Sequence, residues 1–354
     1  MKWTSLTRRR ALATGSILAG SAALEAQHPQ SPPIIGEPAG RIAPASELVN
    51  AYEFAGVAQR KLSSALYAEI AASDRTAMDR ITFNPRMMVN TYALNLTLPL
   101  FGENLFTPIL VGPISDQKRF HPEGELAMVR GAGDAKTLVV VSDRSSYPID
   151  QIAAQAKTPL WYQVYPDSDA NAVRSRIDKA VRAGCKAVII TAGIPDGTAK
   201  GAPNLVDWAA IDRVREGVKI PVLLKGVMTP EDAQGAVSRG VQGIIVSSYA
   251  GGTVPGAASS ILALPAIAAA VGDKTTILID SGFARGSDVL KALALGANGV
   301  LLGRPPLWGL TAYGADGVKN LLHLIQDELA RDMVMCGLVN LKAITRAAVT
   351  VHRR

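Results

Sequence analysis

Eight short apolar runs, separated by segments with helical periodicity, predict an α/β fold in which eight parallel strands close into a TIM (β/α)8 barrel. The runs are rich in Val, Ile and Leu along their whole length, which is typical of strands buried on both faces of a parallel sheet. They lie at residues 108–112, 137–141, 160–164, 186–191, 221–225, 243–247, 276–280 and 299–302. A doubly wound open sheet is the alternative, but it does not account for eight evenly spaced units.

The residues before the barrel have the features of a targeting segment and a linker. Within residues 1–26, Arg8 and Arg9 precede a small-residue apolar stretch that is too short for a stable membrane span. The pattern resembles a twin-arginine signal, which implies export to the bacterial periplasm, with a disordered basic N-terminus as the alternative. Residues 27–46 are rich in Pro and Gly and predict a linker, so the barrel domain is expected over 47–354, starting with a helical stretch over 47–79.

Composition and charge exclude some classes of function. The chain has 354 residues and a formal net charge of +7, with four of the basic residues and one acid in the first 26 residues. Lys and Arg are otherwise scattered, so there is no footprint for nucleic acid. Cys185 and Cys336 lack His or Cys neighbours at metal-ligand spacing, which predicts core packing and no metal site, and leaves a disulfide between them unsupported.

Within the barrel, the segments between the apolar runs complete the βα units. Helical periodicity is found at 122–134, 169–183, 229–239, 286–295 and 316–336. Each would be a right-handed crossover between parallel strands.

Polar and small residues follow the apolar runs, and active sites of such barrels lie at the carboxyl ends of the strands. The set consists of Pro113, Ile114, Ser115, Ser142, Gln163, Tyr165, Thr191, Lys225, Ser247, Tyr249, Asp280, Gly303 and Arg304. It suits a flat heteroaromatic ligand with a polyol phosphate tail. The amide and hydroxyls can meet ring heteroatoms, Asp280 can accept from polyol hydroxyls, and Lys225 places a positive charge beside a ring that becomes anionic on reduction.

The last βαβ unit, residues 276–306, carries two glycine turns with an arginine in each. Ser281, Gly282 and Arg285 follow the seventh run, and Gly303 and Arg304 follow the eighth. Backbone N–H groups at a helix start, together with guanidinium groups, make a seat for phosphate. Ordinary turns with solvated arginines are the alternative.

With these residues in place, the chain resembles the FMN-dependent 2-hydroxy-acid oxidases and dehydrogenases, such as the glycolate and lactate oxidases, from Leu62 to Arg346. The stretches that carry the resemblance include Gln163-Val164-Tyr165, Leu224-Lys225-Gly226-Val227, Asp288 to Ala297, and Gly303-Arg304-Pro305.

The resemblance implies how these residues would hold FMN. Pro113 to Ser115 would lie against the flavin edge, Lys225 would face N1, and Asp280 would hold the ribityl chain. Ser142, Gln163 and Thr191 would bond the pyrimidine side, and Gly282, Gly303 and Arg304 the phosphate. Ser247 and Ser281 complete the predicted cofactor set. The family's arginine four residues after the aspartate is Ala284 here, so Arg285 is the candidate substitute.

The substrate side departs from the family pattern. Tyr249 stands where the family has the histidine base, and Gly252 where it has the arginine that pairs with the substrate carboxylate. The family's N-terminal substrate tyrosine falls on Glu69, its second substrate arginine falls on Lys200, and Tyr165 matches. The candidate catalytic residues are therefore Tyr249, Tyr165 and Lys200. A packing role for Tyr249 and a solvated Lys200 are the alternatives.

These replacements bear on the chemistry. A free tyrosine has a pKa of about 10 and is a weak base at neutral pH. No histidine of this sequence follows a strand: they are His28, His121, His323 and His352. Loss of a general base typically costs about a hundred- to ten-thousand-fold in rate.

We therefore expect an exported FMN-dependent oxidoreductase acting on the CH–OH group of a small hydroxy acid or related substrate, with the usual reaction altered. Electrons would pass to oxygen, a quinone or a redox protein, and homo-oligomer formation is left open. One alternative is an FMN-dependent isomerase, because residues 250–253 (Ala-Gly-Gly-Thr) are similar to a turn of the type 2 isopentenyl diphosphate isomerases. Another is an FMN-binding protein without efficient turnover.

Overall fold

A computed structural model describes residues 41–166, 169–192, 207–249 and 259–352. Ala43–Arg354 forms one compact unit, and the residues up to Ile42 are assigned to another. The predicted signal segment, most of the predicted linker, Lys200 and Gly252 lie outside the described residues.

The N-terminal part of the compact unit contains short helices within the helical stretch predicted over 47–79. They are α1 (Ala51–Lys61), α2 (Ser64–Ile70) and α3 (Thr76–Asp79). The stretch divides because Leu62 adopts an extended conformation and the Ser63 hydroxyl caps a new helix by accepting the Leu66 N–H at 3.3 Å. Three short strands follow, β1 (Ile81–Phe83), β2 (Leu98–Leu100) and β3 (Glu103–Leu105).

Eight parallel strands then form a closed barrel, which confirms the predicted TIM barrel. They are β4 (Ile109–Val111), β5 (Val139–Ser142), β6 (Leu160–Val164), β7 (Val188–Thr191), β8 (Val222–Val227), β9 (Gly243–Val246), β10 (Thr276–Ile279) and β11 (Gly299–Leu302). The sheet closes where β11 pairs with β4, Leu301 lying opposite Leu110. A final strand, β12 (Val349–Val351), pairs antiparallel with β1.

Helices connect the strands on the outside of the barrel. They are α4 (Gly124–Asp134), α5 (Ile149–Ala153), α6 (Ala170–Arg182), α7 (Trp208–Arg215), α8 (Pro230–Ser238), α9 (Ser260–Val271), α10 (Gly286–Ala294) and α11 (Arg304–Met335). The last helix begins directly after β11, twelve residues earlier than its predicted start at 316. Its regular conformation is interrupted at Tyr313 and Gly314, and Gly314 has a φ of 59°, which suits glycine.

The core has two separate layers. The larger packs the outward faces of the strands against the helices. The smaller fills the barrel interior and takes one inward side chain from each strand: Leu110, Val140, Trp161, Ile189, Leu223, Ile245, Leu278 and Leu301. The β2–β3 hairpin joins this inner layer at the amino-terminal end of the strands, where Phe101 packs against Trp161 with ring centroids 5.7 Å apart.

Two other predictions can be compared with this fold. Cys185 and Cys336 are both buried and unbridged, as expected for core residues. Among the described helices, none combines the length and the apolar character that crossing a membrane requires.

Candidate active site

A row of hydrogen-bonded polar side chains crosses the carboxyl ends of three neighbouring strands. The Ser142 hydroxyl donates to Gln163 Oε1 at 3.0 Å, and Gln163 Nε2 donates to Thr191 Oγ1 at 3.0 Å. Ser115 extends the row, with its hydroxyl 3.2 Å from that of Ser142. The alignment follows from strand register, since Ser142 lies opposite Gln163. Buried polar groups of this kind form hydrogen bonds with one another or with a ligand.

Lys225 is a buried cation at the end of β8. Its ammonium group lies 2.9 Å from Asp280 Oδ2 and donates to Ser247 Oγ at 2.8 Å. The Lys225 side chain is only 4% exposed. An unpaired charge at such depth would be costly, and the Asp280 carboxylate offsets that cost. Lys225, Ser247 and Asp280 thus meet where β8, β9 and β10 end.

The two glycine turns leave open space beside their backbones. A Cβ atom added at Gly282 or at Gly303 would meet no heavy atom within 4 Å. Gly303 precedes the first turn of α11, where the Arg304 N–H has no partner within the helix and Pro305 and Pro306 carry no N–H. The Arg304 side chain donates to Ser73 Oγ at 2.7 Å and to the Ala71 carbonyl. Open space at two glycines, with a helix N–H and a guanidinium nearby, fits a phosphate.

Arg285 has a different partner from the phosphate predicted for it. Its guanidinium forms an ion pair with the buried Glu328 of α11, with Nε 2.8 Å from Oε1 and 2.9 Å from Oε2. Glu328 also accepts the Gly286 N–H at 2.8 Å. Arg285 therefore joins α10 to α11, because a buried carboxylate 43 residues later in the chain lies against it. The sequence contains no local signal for this contact.

Asp288 was not recognised from the sequence, yet it fixes the turn before α10. Its fully buried carboxylate accepts the N–H groups of Ala284 and Arg285 at 3.1 and 3.0 Å. It also receives Arg75 through two hydrogen bonds of 2.9 and 2.7 Å. Asp288 is the third residue of α10, the position from which an acidic side chain reaches back to the helix start, and that spacing was the available signal.

Tyr165 and Tyr249 meet above Lys225. The Lys225 ammonium lies 5.0 Å from the centroid of the Tyr249 ring, and the Tyr165 side chain interacts with that of Tyr249. Burial first, and then Tyr249, raise the pKa of Tyr165 well above the ordinary tyrosine value. Arg144, two residues after Ser142, places its guanidinium 4.5 Å from the centroid of the Tyr165 ring.

Glu69, a substrate-side candidate that the structure describes, has its own partner at the surface. Glu69 accepts two hydrogen bonds from Arg119, one of them 2.8 Å long, at the surface. Lys200 falls in a part of the chain that the structure does not describe. Within the described residues, no group of three or more His, Cys, Asp or Glu side chains is arranged to hold a metal ion.

Comparison with known proteins identifies the family. A profile described as "FMN-dependent dehydrogenase" matches residues 61–197 and 193–351. The chain belongs to this family. It is 34% identical over 314 residues to 4-hydroxymandelate oxidase of Amycolatopsis orientalis, which covers 77% of this chain and 88% of the relative. It is 30% identical over 353 residues to glycolate oxidase of Spinacia oleracea, which covers 86% of this chain and 96% of the relative.

Solved structures agree with this assignment. A crystal structure of mandelate oxidase with 3,3-difluoro-2-hydroxy-3-phenylpropionic acid superimposes with a TM-score of 0.80 at 32% sequence identity, covering 86% of this chain and 100% of that chain. Another, of mandelate oxidase with benzoyl-formic acid, gives a TM-score of 0.79 at 32% identity, covering 86% of this chain and 98% of the other.

The cofactor of this FMN-dependent oxidoreductase is FMN, and the residues at the strand ends fit it. The buried row from Ser142 to Thr191 offers donors and acceptors to a heteroaromatic edge. Lys225 supplies the positive charge, and the open turns at Gly282 and Gly303 leave room for a phosphate. The residues differ from the family pattern at the position of the family's phosphate-binding arginine. Ala284 is apolar there, and its neighbour Arg285 forms an ion pair with Glu328. Within the described turns, Arg304 is therefore the arginine that remains next to the phosphate cradle.

Exchange of Gly303 for alanine is expected to raise the dissociation constant of FMN about 10- to 100-fold, because a methyl group enters the phosphate cradle and displaces a charge-assisted hydrogen bond. Thermal stability should change little, since that methyl group meets no protein atom within 4 Å. The dissociation constant can be measured by fluorescence titration of the flavin-free protein. Gly56→Ala in α1 is the matched control, since Gly56 also faces open space. Equal FMN affinity in the two variants would contradict the placement of phosphate at Gly303.

Proposed function

We propose that this chain is an exported enzyme that oxidises a small 2-hydroxy acid through FMN and uses Tyr249 as the acceptor of the hydroxyl proton. The observation that carries the proposal is the position of Tyr249 after β9, with its ring centroid 5.0 Å from the Lys225 ammonium and its side chain interacting with Tyr165. The acid substrate is supported by relatives named as glycolate oxidase and 4-hydroxymandelate oxidase.

Each residue has a role that follows from its surroundings. When bound, FMN supplies the two-electron acceptor for the substrate carbon. Lys225 holds a positive charge next to the strand-end row, which stabilises negative charge that develops there. Asp280 keeps Lys225 in place at 2.9 Å. Tyr249 takes the proton of the substrate hydroxyl, and Tyr165 donates a hydrogen bond to the Tyr249 oxygen as the proton moves.

The raised pKa of Tyr165 decides the direction of that hydrogen bond. A tyrosine whose pKa lies above its ordinary value keeps its proton through neutral and moderately alkaline pH. Tyr165 therefore remains a hydrogen-bond donor towards the Tyr249 oxygen.

The test is anaerobic mixing of the flavin-loaded protein with glycolate, lactate and mandelate, followed at the visible flavin band. We expect at least one of these acids to reduce the flavin, and Tyr249→Phe should slow that reduction about 100- to 10,000-fold, the usual cost of losing a general base. Tyr147→Phe is the control, since the Tyr147 hydroxyl bonds the Pro122 carbonyl, away from Lys225 and Tyr165.

Two outcomes would contradict the proposal. If Tyr249→Phe reduces as fast as the parent protein, Tyr249 is a packing residue. If flavin is bound and no hydroxy acid bleaches it, the chain is an FMN-binding protein without this turnover.

Export remains the part of the proposal that rests on residues 1–26 alone. Paired arginines before a short apolar stretch support a twin-arginine signal and a periplasmic location. The electron acceptor would then be oxygen, a quinone or a redox protein of that compartment.

A further inference from the structure

We propose that Arg144 binds the carboxylate of the substrate and so takes over the function that the family assigns to an arginine at position 252, which is glycine here. The inference rests on the proposed function, because it names the residue that holds the anionic end of the same substrate. Its basis is the position of the Arg144 guanidinium, 4.5 Å from the ring centroid of Tyr165, which in turn interacts with Tyr249.

The backbone of Arg144 is held by the cofactor site itself. Its N–H donates to the Ser142 hydroxyl at 3.2 Å, and Ser142 is a member of the buried polar row. Its carbonyl accepts the Asp116 N–H at 3.1 Å, which ties it to the turn after β4. Arg144 thus starts from one strand end and reaches the tyrosine at the next, so its guanidinium has a defined place beside the reacting groups.

The acidic side chains near the tyrosine pair are partnered with cations other than Arg144, so the Arg144 guanidinium can bind the carboxylate of a substrate. Two cations contact the pair, and one of them, Lys225, is already neutralised by Asp280 at 2.9 Å. The neighbouring Asp143 lies 3.5 Å from Arg176 and also accepts the Tyr165 N–H. Among the residues that the structure describes, no carboxylate forms an ion pair with Arg144. Glu69, at one of the other positions where the family binds the substrate, is itself an acid and is paired with Arg119.

The chemistry of the guanidinium matches this function. Its planar set of N–H groups can bind both oxygens of a carboxylate, and stacking on the Tyr165 ring holds the plane in a fixed orientation. A carboxylate bound there would lie beside the Tyr165 and Tyr249 hydroxyls. Its hydroxyl-bearing carbon would then be next to the group proposed to take the proton.

The proposal is tested by binding of carboxylates that the flavin cannot oxidise. The flavin-loaded full chain is titrated with benzoate, oxalate and acetate, and with benzamide and acetamide as uncharged partners, by calorimetry and by perturbation of the visible spectrum. We expect the parent protein to bind the tightest-binding carboxylate with higher affinity than the corresponding amide. Arg144→Gln should weaken carboxylate binding about 10- to 100-fold and leave amide binding unchanged. Arg144→Lys should recover only part of the loss, because it restores the charge without the planar set of donors.

Arg119→Gln is the matched control, because it removes the same charge from an exposed arginine that already has an acidic partner. Equal weakening by Arg119→Gln and Arg144→Gln, or a parent protein that binds amides as tightly as carboxylates, would overturn the proposal. Flavin content and thermal midpoint of Arg144→Gln should match those of the parent.

These experiments distinguish a failure of the Arg144 inference from a failure of the proposed function. If no hydroxy acid reduces the flavin but carboxylates bind through Arg144, the proposed function fails and this inference stands. If hydroxy acids reduce the flavin with the same KM in the parent and in Arg144→Gln, the proposed function stands and this inference is overturned.

Discussion

Exchange of Lys225 for methionine is expected to slow flavin reduction by a hydroxy acid about 100- to 1,000-fold, the usual cost of removing one preorganised electrostatic group. The ammonium group lies in a site that is almost closed to water, where a charge acts more strongly than at the surface. Its removal should also make the bound flavin harder to reduce, because the reduced ring is anionic. Stopped-flow absorbance gives the rate, and a redox titration of the bound flavin gives the midpoint potential.

Two further variants distinguish this effect from damage to the fold. Lys225→Met alone leaves the Asp280 carboxylate without its cation, and breaking a buried pair in this way typically destabilises by about 3–5 kcal/mol. The double variant Lys225→Met/Asp280→Asn removes both charges, so it should recover stability while remaining slow. Lys219→Met is the surface control, since Lys219 is exposed just before the same strand at the opposite end of the barrel. A double variant that reduces flavin at the parent rate would contradict a role for the Lys225 charge.

Exchange of Arg75 for alanine is expected to lower the free energy of unfolding by about 3–5 kcal/mol, because it leaves the buried Asp288 carboxylate unpaired. Asp288 is completely inaccessible to solvent and receives Arg75 through two hydrogen bonds of 2.9 and 2.7 Å. The same carboxylate holds the turn beside Gly282, so FMN affinity should fall as well. Denaturant unfolding of the flavin-free protein measures the stability effect separately from the cofactor.

Arg119→Ala provides the comparison. Arg119 also forms two hydrogen bonds with a carboxylate, that of Glu69, but this pair lies at the surface, whereas Asp288 of the Arg75–Asp288 pair is buried. Both side chains of the Arg119–Glu69 pair are about half exposed, at 48% and 47%. An exposed pair typically contributes about 0–1 kcal/mol, so Arg119→Ala should be close to the parent protein. If the two variants lost the same stability, burial of Asp288 would not be the source of the effect.

Much of the barrel could be predicted because it depends on local patterns. Apolar runs predict all eight strands, and the run at 160–164 coincides with β6 (Leu160–Val164). The strand ends could be predicted as one site because parallel strands bring their carboxyl ends to the same edge. For that reason the sequence places Ser142, Gln163 and Thr191 in one group, and the structure joins them by hydrogen bonds.

The remainder depends on contacts between residues that are distant in the sequence. Arg285 carries the same sequence signal whether it faces a phosphate or Glu328, and only the packing of α10 against α11 decides between them. The pairing of Arg75 with Asp288 joins positions 213 residues apart. The sequence around Arg144 is that of an ordinary loop arginine, and only the fold shows that its long side chain reaches from β5 to Tyr165 at the end of β6.

The apolar layer inside the barrel has a kinetic consequence. Because the inward side chains of all eight strands and the β2–β3 hairpin fill the amino-terminal end, small molecules reach the strand-end residues from the carboxyl side. Donor, product and electron acceptor then share one approach route. The substrate and the electron acceptor would therefore occupy the site in turn. The rate of product release would then determine how soon the acceptor can enter.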